Sequence, residues 1–224
     1  MASLENGEET RRISVTVCGS QREDCVSGFI EFLRKSYPQI IANVKYEEIP
    51  YNSIDSFRFS GPVDVIILVH SIYNRRMAIT DVPDSLFNKF LPMAKRLVGH
   101  EKLAILVHDM SYPIDRKEMD QRMCSFQDQQ PLAFQCSDLV ITCGKLDGKQ
   151  PIQIDDEEMV RMKMFLEHTQ SLPPPSPSKR TNILFYLVLA VGALVIFLWS
   201  KKGGVLSDFV PPVQDADSGL DTEL

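Results

Sequence analysis

A mostly parallel, doubly wound α/β sheet followed by one C-terminal transmembrane helix is the fold this sequence predicts, and three observations carry the prediction. Short β-branched apolar runs alternate with segments of helical periodicity from residue 12 to about residue 170. Two of those runs, VDVIILVH at 63–70 and LAILVH at 103–108, are almost continuously apolar, as strands buried on both faces are. Further on, 183–199 (ILFYLVLAVGALVIFLW) carries no charge, and Thr181, Asn182 and Ser200 extend it. The result, 181–200, is long enough to cross a hydrocarbon core of about 30 Å.

Each element has its own signal. Residues 1–11 form a polar lead. ISVTVC at 13–18 reads as a strand, and Val26, Phe29, Ile30 and Leu33 then recur at helical spacing up to Tyr37-Pro38. VKYEEI at 44–49 alternates as an edge strand does. After the strand at 63–70, Phe87, Phe90, Leu91, Ala94 and Leu97 line one helix face that ends before Gly99, with Pro92 as a local kink. The strand at 103–108 precedes a weaker, Gln-rich helix or loop over 119–135, broken at Pro131, and LVITC at 139–143 is the last strand. A final helix has Asp155 as N-cap, Glu158 completing a capping box, and Met159, Met162, Phe165 and Leu166 facing inward. Met164 joins Met159 and Met162 in a run at helical spacing that reads as core before it reads as an adaptable binding groove. The domain so defined, 12–170, is large enough for one such core. A stiff Pro-rich linker (171–180), the apolar span and an acidic, disordered tail (201–224) follow.

Composition narrows the function. The chain has 224 residues, 44% hydrophobic and 24% charged, with a formal net charge of −6. This is a globular composition, and its acidic balance argues against a nucleic-acid binder driven by phosphate neutralisation. Five cysteines, Cys18, Cys25, Cys124, Cys136 and Cys143, are odd in number and show no CxxC spacing. A disulfide scaffold or structural zinc site is disfavoured, and a reducing compartment fits. The polar start of the chain is not a secretory signal peptide.

In open parallel sheets ligands bind beyond the carboxyl ends of the strands, so the loops after Cys18, His70, His108 and Cys143 are the places to look. The loop from Gly19 to Val26 has the length of a phosphate-binding GxxxxGK[ST] element with Gly19 in first position. Asp24 stands where the second Gly belongs, Cys25 where the Lys belongs, and Val26 where the Mg²⁺-binding hydroxyl belongs. Glu23 and Asp24 would set carboxylates against phosphate oxygens, which excludes phosphate there. No DxxG element precedes 63–72. In LVHDMSY at 106–112, Asp109, Met110 and Tyr112 occupy the Asn, Lys and Asp positions of a guanine-reading LVGNKxD. Thr142-Cys143-Gly144-Lys145 echoes a TSAK loop.

These stations, from the first strand to the last helix, resemble those of the Ras-like small GTPases in degenerate form, similar in kind to the pseudo-GTPase fold of centromere protein M with an added membrane anchor. The resemblance implies a Ras-like three-layer domain that binds no nucleotide, holds no cofactor and serves as a protein-binding adaptor or scaffold. A flavodoxin-like three-layer sheet without that ancestry fits the same pattern. The alternative is an enzyme or a metal- or nucleotide-binding domain using His70, His108, Asp109 and Cys25. Strand-end histidines are more often hydrogen-bonded capping groups, no third ligand stands at a fixed spacing, and Glu23 and Asp24 disfavour a Cys25 thiolate. The expectation is therefore no catalytic residue and no metal.

The remaining expectations concern address. Lys179 and Arg180 before the span and Lys201 and Lys202 after it leave orientation to the folded N-terminal domain, which is expected in the cytosol after post-translational insertion. A short span suits the endoplasmic reticulum or the mitochondrial outer membrane, and the Lys201-Lys202 pair tilts the expectation towards mitochondria. Ser176-Pro177 is a candidate phosphosite. Thr222 and Leu224 match a PDZ-type terminus, although this topology sets them across the membrane from cytosolic PDZ domains. The expected partners are a membrane and an unidentified protein.

Overall fold

In the computed structural model the described residues are 11–50, 52–74, 78–83, 85, 87–113 and 115–175. They carry five strands, β1 (Ile13–Gly19), β2 (Ile41–Glu48), β3 (Val65–Ser71), β4 (Leu103–His108) and β5 (Leu139–Thr142). The helices are α1 (Ser27–Ser36), α2 (Phe87–Val98), α3 (Arg116–Gln129), α4 (Pro131–Cys136) and α5 (Asp156–Ser171). The expected span at 181–200, the tail with Thr222 and Leu224, the second half of the linker with Ser176, and most of the N-terminal lead lie outside the described residues. Among the described residues no helix is long and apolar enough to cross a membrane.

The sheet runs β2-β1-β3-β4-β5, parallel throughout. Every residue of β3 and β4 is buried, which is why their sequences lack polar alternation. Val15, Val17, Val65, Ile67, Ala104 and Leu106 face one side, where Phe29, Ile30 and Leu33 of α1 and Phe165 and Leu166 of α5 close the core. Ile66, Leu68, Leu103, Ile105 and Val107 face the other, against Phe87, Phe90, Leu91, Ala94 and Val98 of α2, Phe126 of α3 and Ala133 of α4. Strand order reverses between β1 and β3, so the carboxyl ends of these two strands flank the switch point of the sheet.

Three local expectations are corrected. Leu97 is 37% exposed, because Val98 takes the last inward position of the α2 stripe. Met164 is 63% exposed and lies with Val160 on the outer side of α5, whereas Met162 is buried and Met159 packs partly against the core. The Asp155 capping box does not form: the Asp155 carbonyl accepts from the Met159 N–H at 2.9 Å, but its side chain caps no helix N–H, and Glu158 pairs with Arg161 at 2.8 Å. A capping side chain is found instead on α3, where Asp115 accepts from the Glu118 N–H at 3.0 Å. α2 continues through Pro92, and the Gln-rich stretch is helical, with the break between α3 and α4 at Gln130-Pro131.

Candidate functional site

The loop after β1 is built around close packing. A Cβ on Gly19 would lie 2.9 Å from Val69 Cγ2 and 3.0 Å from the Tyr46 hydroxyl oxygen, so only glycine fits beside β3 here. The Tyr46 hydroxyl donates to the Gln21 carbonyl, and burial pushes its pKa up. Asn74 Nδ2 donates to Ser20 Oγ at 2.9 Å, tying the loops after β1 and β3 across the switch point. Glu23–Val26 winds as one 3-10 turn ahead of α1.

The amino end of α1 is covered by the chain itself. A helix leaves its first N–H groups unpaired, and these are what a phosphate loop offers an anion. Here the Phe29 N–H donates to the Leu146 carbonyl at 3.2 Å, and Ser27 Oγ donates to the Asp147 carbonyl at 2.8 Å. A Cβ on Gly28 would lie 2.5 Å from the Gly148 nitrogen, so two backbones are in contact there. The loop after β5 thus sits on the helix end where the sequence suggested a degenerate phosphate loop.

The TCGK segment is equally occupied. The Gly144 N–H donates to the Gln153 carbonyl at 2.7 Å, and the Lys145 N–H to Gln153 Oε1 at 3.0 Å. Asp109 and Met110 N–H groups donate to the Gly144 and Cys143 carbonyls at 3.0 and 3.1 Å. Met110 is buried, and the Tyr112 hydroxyl bonds the Asp155 carboxylate. The degenerate base-reading positions Asp109, Met110 and Tyr112 therefore lie with the TCGK loop, engaged in bonds within the domain.

The proposed His70, His108, Asp109 and Cys25 constellation does not assemble as one group. β3 and β4 are neighbours, but Ser71, not His70, stands opposite His108, and His70 stands opposite Val107. Side chains alternate across a strand, so the two imidazoles project to opposite faces. His70 packs edge-on against Phe87, with ring centroids 5.7 Å apart. On the other face Ser71 Oγ donates to Asp109 Oδ2 at 2.5 Å, and His108 Nδ1 lies 3.0 Å from the same oxygen. Asp109 adopts a left-handed φ of 68°. Burial holds the His108 imidazole below its ordinary pKa, against the pull of the Asp109 carboxylate. Burial first, then the Asp24 and Asp109 charges, push the Cys25 thiol up, away from the thiolate a nucleophile needs. Burial likewise raises Cys18 and Cys143. Among the described residues no group of three or more His, Cys, Asp or Glu could hold a metal ion.

Two features escaped sequence reasoning. Ser71 is a partner of Asp109, which only the strand register reveals. Tyr73 is 78% exposed on a turn fixed by the Tyr73 N–H to Ser71 Oγ bond at 3.2 Å and the Asn74 N–H to Ser71 carbonyl bond at 2.9 Å. A cavity of about 260 Å³ lies elsewhere, along α3, lined by Glu118, Arg122, Ser125, Phe126 and Gln129 among others. Its Glu118 is paired with Arg122, and it holds none of the strand-end residues.

No protein-family model matches this chain, and no curated protein does.

Proposed function

We propose that this chain is a non-catalytic, C-terminally anchored membrane protein whose α/β domain, pseudo-GTPase-like in its sequence stations, lies in the cytosol and binds other proteins as an adaptor or scaffold. The observation that carries the reading is the amino end of α1. Its Phe29 N–H is engaged by the Leu146 carbonyl and its Gly28 backbone abuts Gly148, where a working phosphate loop would present free donors. Asp24, Cys25 and Val26 at the Gly, Lys and Ser/Thr positions support the same conclusion from chemistry.

The strand order is the flavodoxin-type doubly wound order, which supports that version of the three-layer fold. The small-GTPase likeness rests on the sequence stations. Tyr73, an exposed aromatic side chain on a hydrogen-bonded turn, has the character of an interface anchor, since Tyr is enriched among residues that dominate binding energy. The membrane part of the reading rests on the uncharged stretch 183–199, and the endoplasmic reticulum or mitochondrial outer membrane on its length.

Protease protection on isolated membranes, paired with proximity labelling from the full-length protein, tests the proposal. Protease added outside should remove an N-terminal tag and spare a C-terminal one, and labelling should mark cytosolic proteins. A protected N-terminal tag overturns the topology and with it the cytosolic adaptor.

A further inference from the structure

At the amino ends of the strands, opposite Tyr73, four segments meet. Arg11, the first described residue, forms an ion pair with Asp64, which directly precedes β3, and the other Asp64 oxygen accepts from the Ser14 N–H at 2.9 Å. Lys102, at the start of β4, is only 6% exposed, and its ammonium donates to the Pro173 carbonyl, beyond the end of α5. Gln170 Nε2 donates to the Arg11 carbonyl at 3.0 Å and reaches the Gln39 carbonyl at 3.4 Å, while Thr169 Oγ1 bonds the Glu101 carbonyl at 3.3 Å. A nearly buried ammonium is costly unless its donors are used, and this one is used on the Pro173 backbone carbonyl. Burial lowers the Lys102 pKa, and the Asp64 charge opposes that shift.

We propose that Lys102, Asp64 and Arg11 form a clasp that fastens the segment after α5, so that residues 172–175 belong to the folded unit. The clasp joins the entering and leaving ends of the domain at one point, because Gln170 and Asp64 both hold Arg11 while Lys102 holds Pro173. A displacement of the leaving segment is therefore felt at Arg11 and, through Asp64, at the start of β3. The inference goes beyond the adaptor reading and stands whether or not the following segment is a membrane anchor.

Amide hydrogen exchange on the full-length protein in detergent micelles tests it. In Lys102→Met, exchange over Thr169–Leu172 should quicken by about tenfold while the amides of α2 keep their wild-type rates, the expected result of losing one charge-assisted hydrogen bond at a local opening site. Gln170→Ala, which leaves the core untouched, should quicken the same amides by a smaller factor, about threefold. Unchanged exchange at 169–172 in both variants overturns the clasp. So does acceleration spread evenly over the whole domain in both, since that reports global destabilisation and no local fastening.

Discussion

At the carboxyl end of the sheet, main-chain groups bond one another: Phe29 of α1 to Leu146, Gly144 to Gln153 within the loop after β5, and Asp109 after β4 to Gly144. At the amino ends of β3 and β4 the bonds come from charged and amide side chains, Asp64, Lys102 and Gln170, and their partners are the two ends of the domain. An α/β sheet that works on a ligand keeps its carboxyl end open, with donors waiting. Here the amino end of α1 is covered by the Leu146 carbonyl and the Gly148 backbone, and Tyr73 is among the side chains exposed at that end. The contrast lies in what closes each end: main-chain contacts between segments at one, side-chain bonds to the two ends of the domain at the other.

The largest expected effect lies in the strands that both ends share. Ile67→Ala and Leu106→Ala remove fully buried aliphatics from β3 and β4, and each should cost about 2–5 kcal/mol in denaturant unfolding. Costs under about 1 kcal/mol in both would remove the central strands from the account.

The closed end is probed by glycine. Gly28→Ala would push a methyl against the Gly148 backbone, and a loss of about 1–3 kcal/mol is expected from such overpacking. Gly61→Ala is the control, since the nearest atom to its Cβ is Lys45 Nζ at 3.8 Å, and it should stay within about 0.5 kcal/mol. Equal effects would mean that the loop after β5 does not sit firmly on α1.

Helix caps give a finer comparison. Asp115→Ala removes a formed cap on α3 and should cost about 1 kcal/mol. Asp155→Ala should cost less than Asp115→Ala, because its carboxylate caps nothing on α5 and loses only the bond from the part-exposed Tyr112 hydroxyl. A reversed order in thermal melts would restore the capping box that the sequence suggested.

The smallest effect is a slope with pH. His108 is held neutral by burial, so the unfolded chain binds more protons than the folded one as pH falls through the ordinary value of 6.5. Its contribution to stability is present above that value and is lost as pH drops towards the folded pKa. Stability of the wild type should decline between about pH 7.5 and pH 5.5 more than that of His108→Gln. Parallel curves would show that His108 carries no such linkage.

The sheet was legible because its strands announce themselves: 63–70 and 103–108 have no polar face to hide, and α/β alternation leaves few topologies. Boundaries at Leu97 and Met164 were missed because a helical stripe read from sequence is wider than the face that packing selects. The site was legible only by subtraction. Asp24, Cys25 and Val26 told what the loop after β1 lacks, but nothing near them told that Leu146 and Gly148, more than a hundred residues later, lie against it. The His70 and His108 pairing failed for a reason a single sequence does not contain, the register of β3 against β4. Asp115 could have been found, since an Asp three residues before Glu118 is a capping pattern as good as the one at Asp155.

Whether the covered amino end of α1 admits a nucleotide is read by isothermal titration calorimetry of the full-length protein in detergent micelles, with GTP and GDP in the presence of Mg²⁺. No binding heat is expected for either nucleotide, in the wild type or in a control with Asp24→Gly and Cys25→Lys, because the Leu146–Gly148 segment still occupies the helix end. Micromolar affinity of the wild type for either nucleotide would contradict it and return the carboxyl end of the sheet to ligand chemistry.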